Sequence, residues 1–198
     1  MSKYRVLHPY FLMRELFEKA EGINVAEIGG CNGSDESWPS RPAFEISQTN
    51  YLGTDIEVDQ EGTREINGHS SQTMVLDAID SDEKINGRNF ELIFSLGFFG
   101  HPTNQIASLE GESAQVFEGK IFTEWAKHTR PGGYFITGTR NEGLSIDPEL
   151  MKKLGFEFFI IPPEAMQHID YLIARKRGIY EKDHQSTSEA ISQESMVV

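Results

Sequence analysis

The sequence predicts an α/β fold: a mostly parallel sheet with helices on both faces and an antiparallel pair at its end. Three observations predict it. Short apolar runs that end in an acid or a glycine turn alternate with segments of helical spacing. One run, Phe90 to Leu96, is almost continuously apolar, as a central strand covered on both faces requires. The last two runs are joined by too short a link for a parallel crossover, so they should pair antiparallel.

Taken in order, residues His8 to Ala20 carry Phe11, Leu12, Leu16 and Phe17 at near-helical spacing, with Glu21-Gly22 closing the segment. An amphipathic helix is expected there. Ile23 to Ile28 reads as the first strand, and Gly29-Gly30-Cys31-Asn32-Gly33 as the turn after it. Strand, glycine turn and helix start form the layout that brings backbone N–H groups close to a nucleotide-like ligand. Ser34 to Ser47 should hold the returning helix, shortened or broken at Pro39 and Pro42.

Tyr51 to Ile56 is the second strand, with Asp55 near its end. Glu57 to Ser71 contains Gly62 and Gly68 and little apolar periodicity, which predicts a loop with one helical turn. Thr73 to Leu76 is the third strand, followed by Asp77, and Phe90 to Leu96 is the fourth. Gly97 to Gly111 reads as a long loop of the kind that carries function. Gln115 to Thr129 is a helix with Val116, Ile121, Phe122 and Trp125 as its buried stripe. Arg130-Pro131-Gly132-Gly133 ends it and turns into strand Tyr134 to Thr139. Asp147-Pro148-Glu149 is an N-cap and first turn, Leu150 to Leu154 continues that helix, and Gly155 stops it. Phe156 to Ile161 and Tyr171 to Ala174 are the last strands. Residues 181–198 are rich in Ser and Gln and are expected to form a disordered tail behind a single domain, 1–180.

The totals narrow the function classes. A chain of 198 residues can bury a real core. With 31 acidic against 18 basic residues, the net charge is −13. That argues against broad binding to a nucleic-acid backbone, which needs clustered Lys and Arg. The run Arg175-Lys176-Arg177 reads as a solvated strand end. No apolar run approaches the roughly 20 residues that span a bilayer, and the N-terminus lacks the apolar segment of a signal peptide. A lone cysteine, Cys31, can form neither an intrachain disulfide nor a cysteine-rich zinc site. The expectation is a cytoplasmic protein with no membrane partner, and no set of acids beside a histidine suggests a metal.

Several short motifs occur in one order. Glu27-Ile28-Gly29-Gly30-Cys31-Asn32-Gly33 is followed by Asp55 closing the second strand and by Asp77-Ala78 after the third. Phe90 to Ser95 and the Gly97-Phe98-Phe99-Gly100-His101 loop come next, then Arg130-Pro131-Gly132-Gly133. In this series the chain resembles the class I S-adenosylmethionine-dependent methyltransferases, from about Ile23 to Arg177. The resemblance implies a Rossmann-like, seven-stranded, mostly parallel sheet with a reversed final strand. It also implies S-adenosylmethionine as cofactor, bound by Glu27, Gly29, Gly30, Gly33, Asp55, Asp77, Ala78 and Ser95. Asp55 would accept from the ribose hydroxyls, Asp77 from the adenine amine, and the Ala78 amide would donate to the ring. Ser95 and Leu96 would line the pocket mouth.

His101 stands where such proteins place substrate-facing groups, and its titration range suits a general base. His69, His128 and His168 have no such placement and read as surface residues. Phe98, Phe99 and Trp38 are candidates for an apolar pocket wall. The implied activity is methyl transfer to a small-molecule acceptor. Cys31 stands at the family's middle glycine. A methyltransferase-like protein that does not methylate, but binds, scaffolds or uses the cofactor for another reaction, therefore stays open as the second reading.

Overall fold

The computed structural model describes residues 22–29, 49–56, 61–66, 68–96, 98–140, 145–161 and 169–178. The expected helices over 8–20 and 34–47, the turn residues Gly30, Cys31 and Gly33, Trp38, His168 and the tail lie outside this set.

The strands are β1 (Asn24–Ile28), β2 (Asn50–Asp55), β3 (Gly62–Ile66), β4 (His69–Val75), β5 (Phe90–Leu96), β6 (Thr129–Arg140), β7 (Phe156–Ile161) and β8 (Ile169–Lys176). The helices are α1 (Asp82–Ile85), α2 (His101–Glu110), α3 (Ala114–His128) and α4 (Pro148–Lys153). One eight-stranded sheet has the order β3-β4-β2-β1-β5-β6-β8-β7. The pairs from β4 through β2, β1 and β5 to β6 are parallel. β8 runs antiparallel to β6 and to β7, so the short link between the last two strands closes a hairpin as expected.

Two segments differ from the sequence reading. The described residues of Glu57 to Ser71 do not form a loop with a helical turn: β3 and β4 form an antiparallel hairpin at the sheet edge, turning at Gly68 with φ +81°. Its outer strand exposes Gly62, Thr63, Arg64 and Glu65, so the apolar alternation that marks a half-buried strand is absent. This adds the eighth strand to the expected seven. Gly97 to Gly111 is not a continuous loop either, because α2 fills most of it. Pro102 sits in its first turn, and Gly111 closes it in the left-handed conformation, with its N–H bonded to the last carbonyls.

Three smaller differences have local causes. Val116 lies on the exposed side of α3, and Phe117 takes its place in the core. His128 is buried rather than at the surface, with Nδ1 3.2 Å from the Arg88 carbonyl. Pro131-Gly132-Gly133 belongs to β6 instead of preceding it, where the register against β5 shifts between Phe90 and Leu92. A Cβ on Gly133 would lie 2.9 Å from the Arg130 carbonyl oxygen and 3.0 Å from that of Glu91, so only glycine lets the backbones approach.

The core has two sides. Ala26, Ile28, Leu52, Ile93 and Phe135 of the sheet meet Phe117, Ile121, Phe122 and Trp125 of α3, with Met151 of α4 and Ile85 of α1. Phe122 packs against Phe135 and Phe156 with ring centroids 4.8 and 5.0 Å apart, within the range of favourable aromatic contacts. The other face buries Val25, Tyr51, Leu92, Phe94, Ile136 and Ile173. The described helices all pack on the first face.

Candidate cofactor site

The site is built at the carboxyl ends of β1, β2 and β4, where open α/β sheets bind ligands. Gly29 follows β1 with φ +66°, and its N–H donates to the Thr54 carbonyl at 2.8 Å. A Cβ there would lie 2.6 Å from Phe98 Cγ. Gly29 is thus required twice, by backbone conformation and by the ring against it.

Two buried hydroxyls tie the neighbouring strands to β1. Thr54 Oγ1 donates to the Glu27 carbonyl at 2.9 Å, and Ser95 Oγ donates to the Ile28 carbonyl at 2.8 Å. The Leu76 N–H donates to the Asp55 carbonyl at 2.8 Å, which aligns the ends of β2 and β4. Beyond β4, Asp77 Oδ1 accepts from the Ile79 N–H at 2.9 Å, and the Asp77 carbonyl accepts from the Asp80 N–H at 3.2 Å. This is the turn an aspartate forms with its own backbone. Trp125 of α3 donates its indole N–H to the Ala78 carbonyl at 3.0 Å.

These elements enclose a cavity of about 100 Å³. Gly29, Asp55, Asp77 and Ala78 supply its polar rim. Ile28, Ile56, Leu76, Ile79, Phe98, Ile106 and Phe117 supply apolar walls, with Thr54 and Glu110 completing the lining. For scale, an apolar cavity of about 150 Å³ takes benzene, so this one suits the flat end of a ligand rather than a whole cofactor. Three acidic residues, Asp55, Asp77 and Glu110, thus line it beside apolar walls, and a carboxylate accepts hydrogen bonds from hydroxyl or amine donors.

The structure therefore brings together Gly29, Asp55, Asp77 and Ala78. It places Glu27 and Ser95 elsewhere. Strand alternation turns Glu27 to the opposite face with Val25, where it is wholly buried and accepts a hydrogen bond from Tyr51 OH. Ser95 is wholly buried and spends its hydroxyl on Ile28. His101 is the first residue of α2, and its side chain lies outside the described set. Phe98 lines the cavity as a wall, whereas Phe99 is buried in the core. Among the described residues, no group of three His, Cys, Asp or Glu could hold a metal ion. No helix among them is long and apolar enough to cross a membrane.

Sequence reasoning missed Ile56, Ile79, Ile106 and Phe117 as walls, and Glu118 as a buried anchor in α3. An acid inside the run Val116 to Phe122 was the available signal for Glu118.

The sequence matches no protein-family model and no curated protein. Solved structures do match. A protein of Listeria monocytogenes assigned to the class I S-adenosylmethionine-dependent methyltransferases is 13% identical with a TM-score of 0.56, over 94% of this chain and 67% of that one. The CurJ carbon methyltransferase is 16% identical with a TM-score of 0.56, over 86% of this chain and 53% of that one. The N-methyltransferase NodS of Bradyrhizobium japonicum, in complex with S-adenosylhomocysteine, is 12% identical with a TM-score of 0.50, over 85% and 88%. The chain spans about half the length of the CurJ structure. Its sheet order, parallel core and reversed β8 give it the Rossmann-like fold of the class I S-adenosylmethionine-dependent methyltransferases.

Proposed function

We propose that the protein is a methyltransferase that uses S-adenosylmethionine to methylate a small molecule. One observation carries the reading: Asp55 and Asp77-Ala78, from adjacent strand ends, face one apolar-walled cavity that Gly29 also borders. The fold supports it, since carbon- and nitrogen-directed methyltransferases share it.

The residues divide the work. Asp55, half-buried at the end of β2, would accept from vicinal ribose hydroxyls. Asp77 holds its turn with Oδ1, which leaves Oδ2 for the adenine amine, and the Ala78 N–H would donate to a ring nitrogen. The glycine turn 29–33 would carry the methionine end. Bound there, the cofactor supplies an electrophilic methyl on a sulfonium. The chain's contribution is to align the acceptor with that methyl and to exclude water. His101, at the start of α2, would take the proton if the acceptor is a hydroxyl. The net charge of −13 favours a small acceptor over a nucleic acid. A cytoplasmic setting goes with this reading.

The second reading, a protein of this fold that binds without methylating, is favoured by one contact. Phe98 packs on Gly29, where the cofactor would have to approach, so binding requires that ring to move. Isothermal calorimetry with S-adenosylmethionine and S-adenosylhomocysteine tests both readings. Micromolar binding is expected. No heat at high-micromolar ligand rules out the enzyme reading. Binding without turnover across an acceptor library favours the second.

A further inference from the structure

Glu118 is wholly buried within α3. A buried carboxylate is costly unless its oxygens are bonded. Here both are. Oε1 accepts from the Gly100 N–H at 2.8 Å and from the Thr103 hydroxyl. Oε2 accepts from the Ser145 N–H at 3.0 Å. The Gly100 N–H is shared with Thr103 Oγ1 at 2.9 Å. These donors come from two different places. Gly100 and Thr103 belong to the turn after β5 and the start of α2, while Ser145 lies between β6 and α4. Packing alone would be served as well by an apolar residue of similar volume. The acid does what an apolar residue cannot: it joins two separate connections through one rigid group.

The first of those connections also walls the cavity. Phe98, two residues before Gly100, packs on Gly29. It is braced edge-on by Phe99, with centroids 6.0 Å apart. We propose that Glu118 is a positioning residue that locks the chain after β6 to the cavity wall after β5, so that ligand entry beside Gly29 is transmitted to Ser145. The inference rests on the cofactor reading above and deepens it: Ser145 responds only once the cofactor has pressed on Phe98.

The test is amide hydrogen exchange on the full chain, with and without S-adenosylhomocysteine. In the wild type, the ligand slows exchange at Gly100 and Ser145 together. Glu118→Gln keeps the shape and one acceptor oxygen but turns an NH2 toward one of the donors. Ser145 then exchanges at least about tenfold faster, the scale of one lost hydrogen bond, and stops responding to the ligand while Gly100 still responds. A Ser145 response unchanged in Glu118→Gln overturns the proposal. If Glu118→Gln does not fold, Ser145→Pro deletes the donor and leaves the carboxylate. Ligand-bound Gly100 then exchanges faster than in the wild type, and an unchanged rate overturns the proposal. Calorimetry separates the two failures. No binding to the wild type removes the methyl-transfer reading and the transmission with it. Binding with an unresponsive Ser145 removes the transmission alone.

Discussion

Trp125, wholly buried in α3, donates its indole N–H to the carbonyl of Ala78 at 3.0 Å. The core helix thus holds the turn that forms one rim of the cavity, and packing and the shape of the cavity meet in one bond. Trp125→Phe keeps most of the apolar volume and removes the donor. It should cost about 2–3 kcal/mol, from the smaller ring and the stranded carbonyl. The diagnostic readout is S-adenosylhomocysteine affinity, which should fall with the Ala78 turn even at temperatures where the variant is fully folded. Unaltered affinity would mean that the turn keeps its shape without the bond.

Gly29→Ala meets two obstacles, a φ of +66° and Phe98 Cγ at 2.6 Å from the new methyl. The cost should be about 1–3 kcal/mol, read as a lower denaturation midpoint. The two parts separate in a double variant. Adding Phe98→Ala should recover the steric part and leave the conformational part, giving a clear departure from additivity. Additive losses would show that Phe98 yields freely.

The sheet was legible in the sequence where its strands are buried, and illegible where they are not. β1, β2 and β5 announce themselves because Val25, Ala26, Leu52, Leu92 and Ile93 face a core on one side or the other. β3 does not, because an edge strand with Thr63, Arg64 and Glu65 in solvent leaves no apolar period to find. α2 was hidden for a related reason. Its buried positions are Thr103 and Ala107, and neither a hydroxyl nor a methyl stands out in a window flanked by glycines. In the cavity lining, Asp55 and Asp77 were legible because Asp55 ends β2 and Asp77 follows closely on β4. The roles of Ser95 and Glu27 depend on which neighbour's carbonyl or phenol lies opposite, Ile28 and Tyr51 respectively. That is a property of strand pairing and cannot be read along a single strand.

Asp55 and Asp77 should both respond to truncation. Asp55 is half-buried at the cavity, and its backbone carbonyl aligns β4. Asp55→Ala should weaken S-adenosylhomocysteine at least about tenfold through two lost hydrogen bonds. Asp77→Ala also loses the bond to the Ile79 N–H, so it should lower both affinity and the unfolding midpoint. Calorimetry and thermal unfolding on the same pair of variants check this. If Asp55→Ala binds as tightly as the wild type, the ribose assignment is wrong.

Lys176 closes the far end of α3. Its Nζ donates at 2.7 Å to the carbonyl of Ala126, which also accepts from the Thr129 N–H, and at 2.8 Å to the carbonyl of Thr129 at the start of β6. Burial lowers its pKa below the ordinary lysine value of 10.5. In the window between the lowered value and 10.5, the folded chain binds fewer protons than the unfolded chain, so stability rises with pH there. Below the window both states are charged, and the desolvation penalty stands in full. Lys176→Met removes the penalty and the two carbonyl bonds together. At neutral pH the lost bonds should dominate, at a cost of about 1 kcal/mol for this partly exposed group. As pH climbs toward 10.5 the wild type sheds its penalty while the variant has none to shed, so the gap should widen in favour of the wild type. Urea unfolding of both proteins across that range measures it, and a gap that narrows would show that the ammonium, rather than the amine, is the better partner for the end of α3.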